Sequence, residues 1–267
     1  MSDDANPVVL VERRGHVMIV TLNRPEVHNA CNLEMWLAGG DALEQAHADP
    51  EVRAVIVTGA GERTFSAGAD LKAIMRGEPA RPTDPVKAGW GFAGIANHPI
   101  AKPVIAAVNG NALGGGTELA LGCDLVVAVE HARFGLSEVK VGLFAAGGGA
   151  FRLPRQIPPK IAMEMILTGE PIDAPRALEL GLVNRVVPAG ELMNAALALA
   201  EKIAANAPLS VQASKRLALR VIDGAFADEP DDWRRSEEEM AVLARSEDAK
   251  EGPRAFAEKR APQWKAR

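Results

Sequence analysis

The sequence lacks the residues that mark several common classes of protein. Its 267 residues include only two cysteines, Cys31 and Cys123, and no C-x-x-C pair, which argues against a disulfide framework or a thiolate metal site. No run approaches the roughly 18 apolar residues that span a bilayer, and the start, MSDDANP, is acidic and has no apolar signal region. We therefore expect a cytoplasmic protein that does not bind a membrane.

An excess of basic charge is also absent. The chain has 30 Lys and Arg against 35 Asp and Glu, a net charge of −5, and nucleic acids bind basic surfaces. The five histidines are scattered, with no helical pair spaced to bind a metal ion. No serine stands in a G-x-S-x-G context. We expect no nucleic-acid partner, no metal site and no serine hydrolase.

The segment GAGERT follows an apolar run and partly resembles the glycine-rich turn of dinucleotide-binding domains. Thr64 stands where the third glycine of that motif belongs, and no acidic residue ends a second strand about 20 positions later. The sequence therefore argues against a nucleotide-binding domain of this type.

Apolar runs that alternate with helical patterns predict an α/β core. Strands are predicted at residues 8–12, 16–22, 53–58, 104–108, 124–129, 133–138 and 183–187. Helices are predicted at residues 33–48, 90–97, 160–168, 173–180, 191–206, 209–223, 233–246 and 253–260, with a mobile loop at 75–86. No strand is predicted after residue 191. This divides the chain into a core, residues 1–200, and an all-helical region, residues 201–267, that packs on the core or on another subunit.

The most informative stretch is VIAAVNGNALGGGTELAL, residues 104–121. A strand pattern leads into three glycines, Gly114 to Gly116, and then into a helix that begins near Thr117. Glycines let a ligand approach the backbone, and the first amides of a helix favour negative charge. Glu118 lies just inside that helix among apolar neighbours. The stretch fits anion stabilisation beside proton transfer, although close packing and a favourable helix dipole are a simpler explanation.

Two further segments share this character. FSAGADL, residues 65–71, places small residues before a helix start, where the Ala69 amide faces a ligand. FGLSEVKVGL, residues 134–143, holds a second carboxylate, Glu138, between apolar residues. Each segment alone is compatible with a purely structural role. Together with the Gly115 amide and Glu118 they supply two oxyanion donors and two acids.

These three segments together resemble the enoyl-CoA hydratase/isomerase (crotonase) family, and the resemblance runs from the first strand pair to the tail AFAEKRAPQW. It implies an α/β crotonase (ClpP/crotonase-like) fold, a spiral of β-β-α units with a C-terminal all-helical region. It also implies a homotrimer or a dimer of trimers. The substrate would be an acyl-CoA thioester, with CoA as part of the substrate and no separate cofactor.

The resemblance assigns roles to the candidate residues. Ala69 and Gly115 would hold the thioester oxygen through their backbone N–H groups. In the hydratases of this family both carboxylate positions carry glutamate, so Glu118 would activate water and Glu138 would donate a proton to Cα. Two carboxyls in one apolar pocket do not both ionise freely, so one is expected to stay protonated near neutral pH.

The contacts to CoA follow from the same resemblance. The family binds CoA through the residues that match Ala30, Ala67, Asp70, Leu71, Lys72, Phe256 and Lys259, the last two often serving a neighbouring subunit. A phosphate-rich ligand on an acidic protein needs local cations, and Arg24, Lys72 and Lys259 are candidates, although Arg24 and Lys72 are equally compatible with solvated surface charge.

The resemblance leaves the identity of the substrate's acyl group open. Many hydratases have proline where this chain has Ala145, and Phe144 and Phe151 stand nearby. FRLPRQIP and the tail also resemble the carnitinyl-CoA dehydratase subgroup, whose substrate carries a trimethylammonium group. An aromatic cage for such a cation would have to come from Trp and Phe, because the chain has no tyrosine. A 3,2-enoyl-CoA isomerase and a non-catalytic binding protein of the same fold are the further alternatives.

Overall fold

The computed structural model describes residues 6–267, so most of the acidic start lies outside the described part. Within it the strands are β1 (Val9–Arg14), β2 (Val17–Leu22), β3 (Ala54–Gly59), β4 (Thr64–Ser66), β5 (Val104–Val108), β6 (Asn111–Leu113), β7 (Leu125–Val129), β8 (Arg133–Gly135), β9 (Ile172–Asp173), β10 (Arg185–Val187), β11 (Val221–Ile222) and β12 (Ala225–Phe226). The helices are α1 (Leu33–Ala48), α2 (Leu71–Met75), α3 (Pro85–Gly89), α4 (Gly115–Gly122), α5 (Gly149–Gln156), α6 (Pro159–Thr168), α7 (Ala174–Glu179), α8 (Leu192–Ala204), α9 (Pro208–Ala218), α10 (Pro230–Leu243) and α11 (Asp248–Ala257).

Two sheets form the core. The larger has the order β1-β2-β3-β5-β7-β10 and is parallel except for the β1-β2 hairpin. The smaller has the order β4-β6-β8-β9, with only its β8-β9 edge antiparallel. The central strands of the larger sheet are almost wholly apolar and buried, as parallel strands covered on both faces require.

Successive strand pairs build both sheets at once. β3, β5 and β7 each enter the larger sheet, and β4, β6 and β8 follow them directly into the smaller one in the same order. A helix follows each pair, so the chain advances as a spiral of β-β-α units, as predicted. Helix α8 packs on β3, β5 and β7 and contains residue 200, the predicted boundary between core and tail.

Helix α1 matches its prediction, residues 33–48, and Asn32 caps it by accepting a hydrogen bond from the Met35 amide at 3.0 Å. The helix predicted at residues 90–97 is wrong. That segment holds only a short 3₁₀ turn, Phe92–Gly94, in which Ala93 has a φ of +58°. The turn lies so close to α1 that a Cβ on Gly94 would overlap its backbone, which leaves no room for a regular helix.

The tail is helical but not wholly so. Strands β11 and β12 pair antiparallel across Asp223-Gly224, two residues with φ of +50° and +75°. Asp-Gly between apolar residues is typical of a tight hairpin turn, so VIDGAF ends the preceding helix at Ala218 rather than residue 223. The expectation of no strand after residue 191 is therefore wrong at this hairpin.

The helix predicted at residues 233–246 begins earlier, with Pro230 in its first turn, a position that proline favours. The helix predicted at 253–260 likewise begins at Asp248. The predicted loop after residue 75 corresponds to residues 76–84, between α2 and α3. None of the helices in residues 6–267 is long and apolar enough to cross a membrane.

Candidate active site

The triple glycine turn brings the start of α4 against both sheets. Gly114 has a φ of +55°, a conformation that favours glycine, and a Cβ on Gly116 would overlap the Ser66 carbonyl. Thr117 fixes the turn, because its hydroxyl donates to the Ala112 carbonyl at 2.7 Å and accepts from the Gly135 amide at 3.0 Å. Within the described chain the Gly115 amide has no hydrogen-bond acceptor.

A second free amide lies beside it. The neighbours of Ala69 pair with Cys31, the Gly68 carbonyl accepting from the Cys31 amide at 2.8 Å and the Asp70 amide donating back at 2.9 Å. The Ala69 amide is left without an acceptor among residues 6–267. A Cβ on Gly68 would stand 3.0 Å from the Gly115 nitrogen, so the Ala69 loop and the start of α4 are adjacent, as two oxyanion donors need to be.

An ion pair fixes the Ala69 loop. Arg24 donates through Nη1 to Asp70 Oδ2 at 3.0 Å and to the Ala30 carbonyl at 2.6 Å. Burial would raise the pKa of Asp70, but the Ala73 amide and the Arg24 guanidinium together hold it below its usual value. Both side chains are largely buried, so Arg24 is not a solvated surface charge. The Asp70 carboxylate is engaged within the loop.

Glu118 is a carboxyl buried at the start of α4, with 4% of its surface exposed. It accepts a hydrogen bond from the Gly149 amide at 3.0 Å, and a Cβ on Gly147 would overlap its carboxylate. Burial raises the pKa of Glu118 to about 7, although the amides of Gly149 and Gly147 and the nearby Arg152 charge act in the opposite direction. The group is thus able to exchange a proton near neutral pH.

Glu138 lies against Gly114 of the same turn. It begins a 3₁₀ turn, Glu138–Val141, where the predicted strand at 133–138 has already ended at Gly135. A Cβ on Gly114 would stand 3.3 Å from Glu138 Oε1, and the buried Oε2 has no hydrogen-bond partner among the described residues. Burial first, and the charge of Glu118 second, raise the pKa of Glu138 to about 8. The direction of this shift agrees with the expectation that the two carboxyls do not both ionise freely.

A cavity of about 560 Å³ opens beside Glu118. Three aromatic side chains line it, Trp36, Phe92 and Trp233, and helix α10 closes one side. Phe151, which the sequence suggested as a pocket residue, instead packs edge-on against Trp233 with ring centres 5.1 Å apart. The cavity has the size of an acyl pocket, and its three aromatic rings come from parts of the chain that carry no recognisable motif.

The remaining candidates lie around the Ala69 loop. Ala67 and Lys72 are exposed, Leu71 is half-buried and starts α2, and Ala30 is buried. Helix α11, which carries the exposed Phe256, packs against α2 and against the Glu138 turn of its own chain. Lys259 follows that helix with a φ of +54°.

Sequence reasoning missed Arg152, a buried cation on the helix whose first amide binds Glu118. Arg152, on α5, makes a two-pronged ion pair with Glu229, 77 residues further along the chain, with nitrogen–oxygen distances of 2.9 and 2.6 Å. The run FRLPRQIP drew attention to the segment but not to this residue. No group of three or more His, Cys, Asp or Glu side chains in residues 6–267 is arranged to hold a metal ion.

Two adjacent free amides and two buried carboxyls form an arrangement that can support proton transfer next to a developing oxyanion. Comparison with known proteins places the chain accordingly. The family model described as enoyl-CoA hydratase/isomerase matches residues 12–267. A carnitinyl-CoA dehydratase of Salmonella typhi is 45% identical over 259 residues, which cover 96% of this chain and 97% of that protein.

Other relatives agree. The enoyl-CoA hydratase EchA19 of Mycobacterium tuberculosis is 44% identical over 269 residues, covering 99% of this chain and 98% of that one. The crystal structure of a carnitinyl-CoA hydratase from Mycobacterium avium is 57% identical and matches with a TM-score of 0.95, over 98% of this chain and 100% of that one. The chain therefore belongs to the enoyl-CoA hydratase/isomerase family, and the predicted crotonase fold is confirmed.

Replacing Glu138 by glutamine is expected to stabilise the fold at neutral and alkaline pH. In the unfolded chain the pKa of this carboxyl is near 4.5, and in the folded chain it is about 8. Between these values the folded state binds more protons, so stability falls as the pH rises. Glutamine does not titrate, so Glu138→Gln should gain about 1 kcal/mol or more at the alkaline end and little at acidic pH.

Urea denaturation of both proteins across this pH range measures the effect. Glu62→Gln, on an exposed glutamate, is the control and should show no such trend. A stability difference between Glu138→Gln and the wild type that stays constant with pH would contradict the assigned protonation behaviour.

Proposed function

We propose that this enzyme is a CoA-thioester hydro-lyase that adds water reversibly across the 2,3 double bond of an enoyl-CoA, with Glu118 and Glu138 as its two acid–base groups. The observation that carries the proposal is the pair of buried, mutually repelling carboxyls beside the adjacent free amides of Ala69 and Gly115. An enoyl-CoA hydratase is the main assignment, supported by relatives of that name over nearly the whole chain.

The reaction begins with the thioester oxygen between the Ala69 and Gly115 amides. These donors stabilise the charge that develops on the oxygen as Cβ is attacked, and one such donor is typically worth ~2.7–4 kcal/mol in the transition state. The positive end of α4 lies at the same place. The amides therefore favour the enolate-like state over the bound substrate.

The two glutamates then divide the proton transfers. Glu118, whose ionised form the Gly149 amide and the Arg152 charge favour, takes a proton from the attacking water, and Glu138, which is buried beside a negative neighbour, delivers one to Cα. In the dehydration direction the roles reverse. The chain thus supplies water activation, proton donation and oxyanion stabilisation, so we expect neither a metal ion nor a redox cofactor, and CoA is part of the substrate.

We further propose that CoA lies along the Ala69 loop, in contact with Ala30, Ala67, Asp70, Leu71, Lys72, Phe256 and Lys259. The exposure of Ala67 and Lys72 and the packing of α11 on α2 support this path. Because the Asp70 carboxylate is already engaged by Arg24 and by the Ala73 amide, its contact with CoA would come from the backbone.

A carnitinyl-CoA dehydratase is the second candidate, because several relatives and two solved structures bear that kind of name. The cavity beside Glu118 supports it as well. Trp36, Phe92 and Trp233 line it, and aromatic faces attract a quaternary ammonium group.

We also propose a homotrimer or a dimer of trimers. Large apolar side chains on α9 and β11 support it, since Leu209, Leu217 and Ile222 are 78%, 81% and 60% exposed in the single chain, and contiguous exposed apolar surface commonly marks an interface. Light scattering should give three or six times the chain mass of 28.2 kDa, and a monomeric mass would refute this. The cytoplasmic location stays a prediction.

Glu118→Gln and Glu138→Gln should each lower hydration of crotonyl-CoA by about 10²–10⁴-fold, the usual contribution of a general acid or base. The loss of ultraviolet absorbance of the conjugated thioester measures turnover, and circular dichroism of each variant checks that it is folded. Near-normal turnover in either folded variant would refute its assigned role.

The rate should depend on pH as a bell, because hydration needs Glu118 ionised and Glu138 protonated. The maximum is expected between about 7 and 8, and both limbs belong to the coupled pair rather than to single residues. Steady-state kcat/KM across the pH range tests this, and a rate that rises steadily to alkaline pH would contradict it.

A comparison of three substrates separates the alternatives. Crotonyl-CoA should be hydrated if the main assignment holds, and a kcat/KM more than about tenfold higher for crotonobetainyl-CoA, ~1.4 kcal/mol of preference, would establish the second candidate in its place. Isomerisation of a 3-enoyl-CoA without hydration would indicate an isomerase. If none of the three thioesters is turned over, the alternative of a non-catalytic binding protein is favoured.

A further inference from the structure

Arg152 is an almost fully buried cation between the acid–base site and the C-terminal tail. Only 6% of its surface is exposed. Its guanidinium donates to the Ala96 carbonyl, to Asn97 Oδ1 at 3.1 Å and to both oxygens of Glu229. It also lies over the rings of Phe151, Phe226 and Trp233, at 5.8, 5.5 and 5.4 Å.

One side of this cation faces the loop that holds Glu118. Arg152 belongs to α5, whose first residue, Gly149, donates its amide to Glu118. A Cβ on Gly148 would stand 3.4 Å from Arg152 Cδ. The guanidinium is thus anchored one helical turn from the amide that binds the carboxyl, and its positive charge acts on Glu118.

The Arg152 guanidinium also contacts residues 226–244, a segment that we call the cavity wall. Glu229 accepts from Trp233 Nε1 at 3.1 Å as well as from Arg152, so one carboxylate orients both the cation and an aromatic lining of the cavity. Ser236 adds a second attachment, donating to the Ala146 carbonyl at 3.1 Å. The wall and the Glu118 loop therefore meet at the Arg152–Glu229 pair.

We propose that Arg152 is a positioning residue for Glu118, and that Glu229, from the cavity wall, sets how strongly the Arg152 charge acts on that carboxyl. With Glu229 in place the pair is neutral overall. Without that negative charge Arg152 becomes an uncompensated buried cation, which favours the ionised form of Glu118. The kinetic part of this inference rests on the proposed function; the electrostatic part does not.

Three other charged side chains lie near Glu118 or line the same cavity. Glu138 lies against the glycine turn and opposes the ionisation of Glu118. Arg81 and Glu237 line the same cavity, but they are exposed and pair with each other at 3.7 Å. Arg152 is thus the buried cation that acts on Glu118, and Glu229 is its counter-ion.

The chain offers a matched control. One turn further along α5, Arg155 pairs with Asp232 of α10 at 2.6 Å. This pair joins the same two elements, but Arg155 is half-exposed and does not contact the Glu118 loop in the described structure. If ion pairs only fasten the cavity wall, Glu229→Gln and Asp232→Asn should behave alike.

The test is a carbon NMR titration of the Glu118 carboxyl in the whole protein, its signal assigned by its absence from Glu118→Gln. Glu229→Gln should lower the titration midpoint by about one pH unit, and Asp232→Asn should leave it in place. The double variant Arg152→Gln with Glu229→Gln, which removes both charges, should raise it. Equal behaviour of Glu229→Gln and Asp232→Asn, or a midpoint that moves with neither charge, would overturn the inference.

Kinetics add an independent comparison. In Glu229→Gln the acidic limb of kcat/KM should move to lower pH together with the NMR midpoint, and in Asp232→Asn it should stay. If the midpoint moves as expected while the wild type turns over none of the thioesters, the inference stands and the proposed function fails. If Glu229→Gln loses activity while the Glu118 titration midpoint does not move, Glu229 only holds the cavity wall in place and the inference is wrong.

Discussion

The repulsion between two buried carboxyl groups is the constraint around which this structure is arranged. Glu138 lies against Gly114, Glu118 belongs to the helix that follows this glycine, and burial disfavours the charged form of both. A buried carboxyl without donors is costly. The chain compensates unevenly: Glu118 receives an amide hydrogen bond and lies near a cation, whereas Glu138 Oε2 has no partner in the described part of the chain.

The packing explains how the two segments that carry the free amides are held in place. Each β-β-α unit adds one strand to each sheet, so β6, which leads into α4, lies between the parallel strands β4 and β8. Thr117 binds the Ala112 carbonyl and the Gly135 amide, from both β6 and β8 at once. The Ala69 loop is fixed independently, through Cys31 and the Arg24–Asp70 pair. Neither amide depends on a ligand for its position, which is the preorganisation that oxyanion stabilisation requires.

Most of the helices and strands that were predicted correctly were indicated by local sequence patterns. Helix α1 and strand β5 match the predicted residues because a cap, an apolar run and a turn signal act within a few positions. The hairpin at Asp223-Gly224 also had a local signal, since Asp-Gly between apolar residues indicates such a turn. The predicted helix at 90–97 failed for a different reason: its path is dictated by contact with α1, more than 40 positions away in the sequence.

The lining of the aromatic cavity beside Glu118 was the part least predictable from the sequence. Ala69, Gly115, Glu118 and Glu138 belong to recognisable segments, and the structure brings those segments together. Trp36, Phe92 and Trp233 belong to none, and they meet only because α1, the turn at Phe92–Gly94 and α10 converge. The pair of Arg152 and Glu229 spans 77 positions in the same way. Chemistry that resides in contiguous segments was predictable, and substrate selection, which depends on long-range packing, was not.

The unequal surroundings of the two carboxyls also bear on the direction of proton transfer. Amide donors and the Arg152 cation favour the ionised form of Glu118, while Glu138 has apolar burial and a negative neighbour. Of the two carboxyls, Glu138 is therefore the one whose surroundings more strongly favour the protonated form. A base and an acid beside one another are what adding water across a double bond requires. Moving a double bond within a chain requires one group to remove and return a proton, so the retention of two unlike carboxyls favours hydration over isomerisation.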